Sequence, residues 1–331
     1  MSGTVLDTQL GDLSLDTTAH VKYIQSLNTK QDDLDYWLTE HLRLNGVYWG
    51  LNALHLMGHP DALPRQDTID FVLSCQHENG GFGAAPGHDA HMLSTVSAVQ
   101  ILVMVDALGD LEERGKGKGK AQVASFIANL QNRETGSFFG DEWGEQDTRF
   151  MCGALIALSL LGLMDMIDVE KAVSHVMECA NFDGGFGAKP SAESHGAQIY
   201  TCVAPLSIAG RLDLLDIERL GRWLSERQLP CGGFNGRPEK KEDVCYSWFV
   251  LASLNIIGKT HWIDTPALAK FILGCQDSTT GGISDRPEDL PDVWHTCFGI
   301  AGLSLLGLPT LEAVDPVYCM PKATVDKALN R

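Results

Sequence analysis

The sequence predicts an all-α fold, an α/α toroid in which about six helical hairpins stack into an inner ring inside an outer one. Three observations lead there. A glycine turn recurs along the chain, an almost wholly apolar helix follows each turn, and no segment offers the polar caps that an open stack of repeats would need at its ends.

The turns come first. Five segments share one layout: "FVLSCQHENGGFG", "FIANLQNRETGSFFG", "VMECANFDGGFG", "WLSERQLPCGGFNG" and "FILGCQDSTTGGIS". Each runs from an apolar helical stretch through Gln or Asn to a glycine turn, usually with an aromatic. The second turn residue falls at Gly81, Ser137, Gly185, Gly233 and Gly282. The longer first interval contains "GKGKGK", Gly115 to Lys120, which reads as a solvated surface insertion. The helices before the turns are amphipathic and suit an outer layer. Those after them, such as "STVSAVQILVMV", "MCGALIALSLLG" and "TCFGIAGLSLLG", are apolar on all faces and suit a buried inner layer. "HLRLNGVYWGLNALHLMG" near the N-terminus supplies a sixth inner helix. The whole chain, 1–331, reads as one domain, with about 15 N-terminal and about 10 C-terminal residues peripheral.

Composition narrows the function. The 331 residues carry net charge −18, which argues against nucleic-acid binding, because phosphate contacts need a broad basic face. The start, "MSGTVLDTQLGDLSLD", has neither a basic n-region nor an apolar core, and no apolar run reaches membrane-spanning length. Nine cysteines are scattered without a CxxC pair. A reduced, cytoplasmic protein without a transmembrane segment is expected.

Against this acidic background "RPEKKEDVCYSW", Arg237 to Trp248, stands out as a basic cluster beside a carboxylate and a thiol. Asp89, Asp147, Ser194, Asp243 and Asp292 occupy one register before the inner helices and are expected to cap them. In a ring, the residues just beyond would converge on one rim. Asp243, Cys245 and His295 then sit on adjacent rungs as a three-ligand zinc set with a coordination position left open; a structural Cys and a core His are the plainer alternative. Arg149, Lys189, His195, Arg237, Lys240 and Arg286 lie near the same level as helix N-termini and would hold a polyanion such as diphosphate. Surface pairing with Glu193, Glu239, Glu242 and Glu288 is the alternative. Tyr48, Trp49, Phe150, Trp248, Phe249 and Trp294 fit either core packing or the wall of an apolar cavity.

These residues resemble a family. The glycine-turn repeat, "GGFNGRPEKKEDVCYSW" and "DVWHTCFGIAGLSLLG" are similar to protein prenyltransferase β subunits over about residues 18 to 321. "KQDDLDYWLTEHLRLNGVYWGL", the short length and the late "DPVYCMP" favour the type II branch, the Rab geranylgeranyltransferases. The resemblance implies one zinc per chain, held by Asp243, Cys245 and His295. It implies that His195, Arg237, Lys240 and Tyr246 hold the lipid diphosphate, with Tyr246 also donating to the leaving group. It maps a lipid funnel onto Tyr48, Trp49, Val96, Cys152, Trp248 and Trp294. Asn45 and Val96 depart from the usual serine and leucine, yet both are smaller than the farnesyl enzyme's aromatics, so a twenty-carbon chain is expected. Asp285 stands at the farnesyl enzyme's magnesium (Mg2+) position and equally suits an ordinary loop residue of "SDRPED".

The implied activity is transfer of geranylgeranyl from geranylgeranyl diphosphate to C-terminal cysteine thiols of Rab GTPases, as a thioether. The implied partners are an α subunit, in an αβ heterodimer, and a Rab escort protein that presents the Rab. Two other readings stay open on the residues alone: a terpene cyclase, for which the acidic "QDDLD" from Gln31 to Asp35 is the candidate motif, and a non-catalytic toroid that binds protein through its rim.

Overall fold

Every glycine turn closes a small antiparallel bridge: Gln76 with Phe82, Gln131 with Phe138, Ala180 with Phe186, Gln228 with Phe234, and Gln276 with Ile283. In this computed structural model, which describes residues 10–11, 13–29, 32–117 and 119–331, each bridge turns the chain from an outer helix back to an inner one. The pairs, outer then inner, are α1 (Thr17–Ser26) with α3 (Arg43–Leu56), α4 (Arg65–Ser74) with α5 (Met92–Met104), α7 (Gly119–Asn129) with α8 (Thr148–Leu161), α9 (Val169–Glu178) with α10 (Gly196–Ile208), α11 (Ile217–Ser225) with α12 (Tyr246–Ile256), and α13 (Thr265–Gly274) with α14 (Val293–Leu305). Short helices α2 (Leu34–Leu38) and α6 (Leu108–Arg114) interrupt the first and second intervals, and α15 (Lys322–Ala328) follows a two-stranded ribbon, β1 (Val314–Asp315) and β2 (Met320–Pro321).

Each inner helix packs on the next, and α14 packs on α3, so the ring is closed. The α/α toroid expected from the repeats is the fold. Inner helices bury most of their side chains; in α5 Leu93 alone escapes burial. Outer helices bury one stripe, as in α11 with Leu220, Gly221, Trp223 and Leu224.

A repeated staple joins neighbouring pairs. Asp168, Asp216 and Asp264 cap outer helices α9, α11 and α13 through their own side chains. The Gln of a preceding turn brackets the cap on both sides: Gln228 Oε1 accepts from Asp264 N and its Nε2 donates to Asp264 O, each at 2.8 Å, and Gln131 does the same with Asp168 at 2.9 Å. The last turn uses this device on the first helix. Gln276 Oε1 accepts from Asp16 N at 3.0 Å, and Asp16 caps α1. Buried His20 completes the closure, its Nδ1 accepting from Gly282 N at 2.9 Å. Gly281 (φ +74°) comes so close that a Cβ would lie 2.3 Å from Ala19 O, and Gly232 (φ +92°) likewise 2.4 Å from Ala267 O.

Three expected caps are different. The N-cap of α12 is Cys245, with no side-chain cap bond, and Asp243 accepts from Cys245 N just before the helix. Asp89 is exposed, and α5 is capped by His91, whose Nδ1 accepts from Leu93 N at 3.1 Å. Ser194 is buried and donates to Asp183 Oδ1 at 2.7 Å, leaving His195 Nδ1 to cap α10 from Ala197 N at 3.2 Å. A neutral imidazole acceptor does the work of a carboxylate at both places. The "GKGKGK" insertion is mixed: Lys116 and Lys120 are exposed, whereas Gly117 and Gly119 are buried, and Lys118 lies outside the described residues. All nine cysteines are free thiols, eight of them buried. Among the described residues no single helix is long and apolar enough to cross a membrane.

Candidate metal centre and anion cleft

The start of α12 is held from three sides. Asp243 N donates to Phe234 O of the fourth turn at 3.0 Å, Val244 N donates to Asp285 O of the next rung at 2.9 Å, and Asp243 Oδ1 accepts from Cys245 N at 2.7 Å. On the adjacent rung Asp292 caps α14 by accepting from His295 N at 2.9 Å. The result brings Asp243, Cys245 and His295 together, with one ligand atom of each within 4.8 Å of the others.

Asp292 does a second job that the sequence did not reveal. Its other oxygen, Oδ2, accepts from His295 Nδ1 at 2.6 Å, which turns Nε2 toward Asp243 Oδ1, 3.2 Å away. Burial opposes charge on His295, but its bonds to Asp243 and Asp292 outweigh burial and hold the imidazole at about 9. Burial likewise opposes ionisation of Asp243, yet the His295 and Cys245 hydrogen bonds leave its carboxyl below the usual value. Burial, and then the Asp243 charge, push the Cys245 thiol well up. One sulfur, one imidazole nitrogen and one carboxylate oxygen form a donor set suited to zinc. An outer carboxylate orienting the histidine is the usual supporting contact of such a site.

Beside the cluster lies a cleft of about 350 Å3. His195, Arg237, Lys240, Lys241, Tyr246 and Arg286 line it together with Gly236 and Glu242, and Asp243 is shared with the candidate metal cluster. The four residues expected to hold diphosphate are thus together. Lys241, left unassigned by the resemblance, joins them, while Arg149 and Lys189 are outside this lining. Arg149 instead pairs with Asp147 at 3.0 Å and Glu145 at 3.8 Å. Arg237 pairs with Glu193, so the surface-pairing alternative holds for that residue in the absence of a ligand. Lys240 and Lys241 are exposed and have no ion pair among the described residues. Arg286 is paired with Asp285 at 3.1 Å and Asp289 at 2.9 Å, which occupies the carboxylate at the farnesyl enzyme's magnesium position.

The tautomer of His195 follows from its cap. Nδ1 accepts from Ala197 N, and burial followed by the nearby Arg237 charge lowers the pKa and keeps the ring neutral. Nε2 therefore carries the proton and donates to Tyr246 Oη at 3.2 Å, leaving the phenol hydrogen for another acceptor. Gly236 allows this closeness, since a Cβ there would lie 2.4 Å from Tyr246 Oη.

The expected lipid residues fall into two groups. Trp49 meets Trp294 edge-on at 4.8 Å, and Trp294 and Trp248 both contact Phe298, at 4.6 and 6.4 Å, in one aromatic cluster. Tyr48 is tied elsewhere: its hydroxyl donates to Cys319 O at 2.8 Å. Val96 and Cys152 are buried on neighbouring inner helices, where Val96 packs against Gly153. Asn45 finds partners in Leu93 O at 3.2 Å and Ser97 Oγ at 2.9 Å. No local pattern in the sequence marks the polar anchors of the segment between β1 and β2. Gln100 donates to Tyr318 O at 2.9 Å, Tyr200 to Val317 O at 2.9 Å, and Ser159 Oγ meets Tyr318 Oη at 2.7 Å, so that with Tyr48 on Cys319 O four inner helices grip this strap. Of "QDDLD", Asp32 and Asp33 are exposed; Gln31 and the Asp35 side chain lie outside the described residues.

Comparison with known proteins agrees with this architecture. Residues 15–320 match the model of the prenyltransferase alpha-alpha toroid domain. The chain belongs to that family. It is 54% identical over 194 residues to the geranylgeranyl transferase type-2 subunit beta of Saccharomyces cerevisiae, an alignment covering 58% of each chain. The Candida albicans protein of the same name is 48% identical over 193 residues, 57% of this chain and 56% of that one. The chain thus matches a little over half the length of these curated relatives. Among solved structures, Candida albicans protein geranylgeranyltransferase-I complexed with GGPP superposes with a TM-score of 0.84 at 20% identity, covering 96% of this chain and 99% of that one. The type II terpene cyclase MstE from Scytonema gives 0.61 at 12% identity, covering 93% and 100%. Identities this low speak to fold alone.

Proposed function

We propose that this chain is the catalytic β subunit of a zinc-dependent protein geranylgeranyltransferase of type II, acting on C-terminal cysteines of Rab GTPases. One observation carries the reading: an S, N, O donor set whose histidine is oriented by Asp292 shares a wall, through Asp243, with a cleft of cationic side chains. A terpene cyclase does not need that pairing, nor does a toroid that merely binds protein. The names of the fungal relatives favour the same substrate class.

Asp243, Cys245 and His295 would hold the zinc, which when bound supplies a Lewis acid that keeps an acceptor cysteine as thiolate near neutral pH. The chain's own residues handle the other reactant. Arg237 and Lys240 bind the diphosphate of geranylgeranyl diphosphate and offset the charge that builds on it as the C1–O bond breaks and the C–S bond forms. Tyr246, with its hydroxyl hydrogen released by His195, donates to the departing oxygen. The cluster of Trp49, Trp248 and Trp294 offers an apolar wall to the isoprenoid.

An α subunit and a Rab escort protein complete the proposed assembly. The test is transfer of labelled geranylgeranyl to a Rab by the purified chain with both present. Thioether product that disappears when the chain is omitted is expected, and no transfer from a folded, metal-loaded complex would remove the proposal.

A further inference from the structure

One backbone hydrogen bond recurs in all five glycine turns and puts them in a common register. The carbonyls of Cys75, Leu130, Cys179, Arg227 and Cys275 accept from the amides of Gly83, Phe139, Gly187, Asn235 and Ser284, at 3.0 to 3.1 Å. On four turns the accepting residue is a buried Cys or Leu. On the fourth it is an arginine, 6% exposed, and the donor opposite it is an asparagine, 3% exposed. None of the sister turns has a charged group at the accepting place, and at the donor place only the fifth keeps a hydrogen-bonding side chain, Ser284. Burying a guanidinium is unfavourable unless it is paired, and among the described residues Arg227 forms no direct ion pair, the Glu226 and Asp183 carboxylates acting on it only through space.

Its contacts say what it does instead. Arg227 lies over the Trp223 ring, with Cζ 4.6 Å from the centroid, and its Nε donates to Trp223 O at 3.2 Å. Its Nη1 donates to Asn235 Oδ1 at 3.4 Å, which fixes the amide orientation. Asn235 Nδ2 then donates to Lys240 O at 2.9 Å. That bond closes the loop from Gly236 to Lys240, the segment that carries Arg237 and Lys240 to the cleft.

We propose that Arg227 is a positioning residue for the anion cleft. Through Asn235 it sets the loop bearing Arg237 and Lys240. This inference rests on the reading that the cleft receives the lipid diphosphate.

The test compares inorganic diphosphate, geranylgeranyl diphosphate and geranylgeraniol as ligands of the full chain co-expressed with its α subunit. Two variants copy the sister turns: Arg227→Cys, and Arg227→Cys with Asn235→Gly, the Cys/Gly pair found at Cys75 and Gly83 and at Cys179 and Gly187. Both are expected to lose at least tenfold in affinity for the two diphosphates while geranylgeraniol binding changes less than twofold. A purely structural role would weaken all three ligands together, and that result overturns the proposal. Arg237→Ala is the control. If it weakens diphosphate binding while a folded Cys/Gly variant binds like the wild type, the positioning role is wrong and the cleft assignment stands. If Arg237→Ala also has no effect, the cleft assignment falls and the inference with it. Should both sister-turn variants fail to fold, Arg227→Lys keeps the charge without the fork. It is expected to lose diphosphate affinity, and wild-type affinity there rules out the clamp.

Discussion

The rungs of α8 and α12 begin with the same backbone device and end in different chemistry. Asp147 accepts from Arg149 N at 2.8 Å, as Asp243 accepts from Cys245 N at 2.7 Å. On the α8 rung the carboxylate then turns on the guanidinium two residues along and neutralises it. On the α12 rung the residue two along is a thiol, and the carboxylate is left to meet His295 from the next rung. A repeat scaffold thus supplies one geometry many times. A site arises where the capping carboxylate has no local counter-charge and finds a partner across the helix interface.

The largest expected effect breaks the α12 rung at its sulfur. Cys245→Ala should abolish metal binding, taking zinc from about one per chain to none, and lower transfer by at least ~100-fold, since the metal's contribution is several kcal/mol. Geranylgeranyl diphosphate binding should survive, because the cationic lining is untouched. Elemental analysis with a fluorescent lipid-binding assay measures both, and full zinc occupancy in the variant would refute the ligand set.

Next in size is Asp292→Asn. Asparagine caps a helix as well as aspartate does, so α14 should keep its start. What is lost is the anionic acceptor on His295 Nδ1. Metal affinity should fall roughly 10- to 100-fold, as expected when the orienting partner of a ligand is removed. Competition with a zinc chelator reads this directly, and unchanged affinity would show that the 2.6 Å contact is structural only.

A third comparison sets His295 against His91 and His195, all at inner-helix N-termini. Burial lowers His91 and His195, whose ring nitrogens accept amides at positively polarised helix ends. Two carboxylates raise His295 to about 9 against burial. The linkage has opposite signs. His91 and His195 contribute stability that is full above the unfolded value of 6.5 and is lost as pH falls through their lower folded values. His295 in the metal-free chain contributes stability that is full below 6.5 and is lost as pH rises through about 9. Thermal unfolding of the chelator-treated protein should therefore be highest near neutral pH and fall toward both pH 5 and pH 10. Adding zinc should remove the His295 share of the alkaline loss, because a coordinated imidazole no longer titrates, while buried thiols such as Cys75 and Cys275, raised by burial, keep theirs. A metal-free chain that gains stability toward pH 10 would contradict the assigned His295 environment.

The toroid was legible in the sequence because its signals are local and repeated: glycine turns, all-apolar inner helices and the Gln or Asn that follows each outer helix. The meeting of Asp243, Cys245 and His295 was legible because the repeat puts them at the same end of inner helices on adjacent rungs. What escaped notice depends on side-chain direction. Nothing local distinguishes Asp292 Oδ1, which caps, from Oδ2, which aims His295. His91 and His195 cap through Nδ1, a role that Asp89 and Ser194 seemed better suited to fill from composition alone. Arg227, as the end of an outer helix, reads as an exposed charge until the turns are superposed. The anchors Gln100, Ser159 and Tyr200 lie far in sequence from the strap they hold, where no periodicity connects them.

The smallest effect is the one that sharpens the opening comparison most. Arg149 and Arg237 are both rim arginines paired with carboxylates, yet Arg149's partners include the cap of its own helix and it lies outside the cleft lining. Both Arg149 pairs are largely solvent-exposed at the guanidinium, and such pairs contribute about 0–1 kcal/mol. Arg149→Ala should therefore leave diphosphate affinity within about twofold and stability within about 0.5 kcal/mol. Isothermal titration with geranylgeranyl diphosphate, alongside denaturant unfolding, measures both. A tenfold loss of affinity in Arg149→Ala would mean that the whole rim, rather than the α12 rung and its neighbours, attracts the anion, and the distinction between a self-neutralised cap and a chemically available one would not survive.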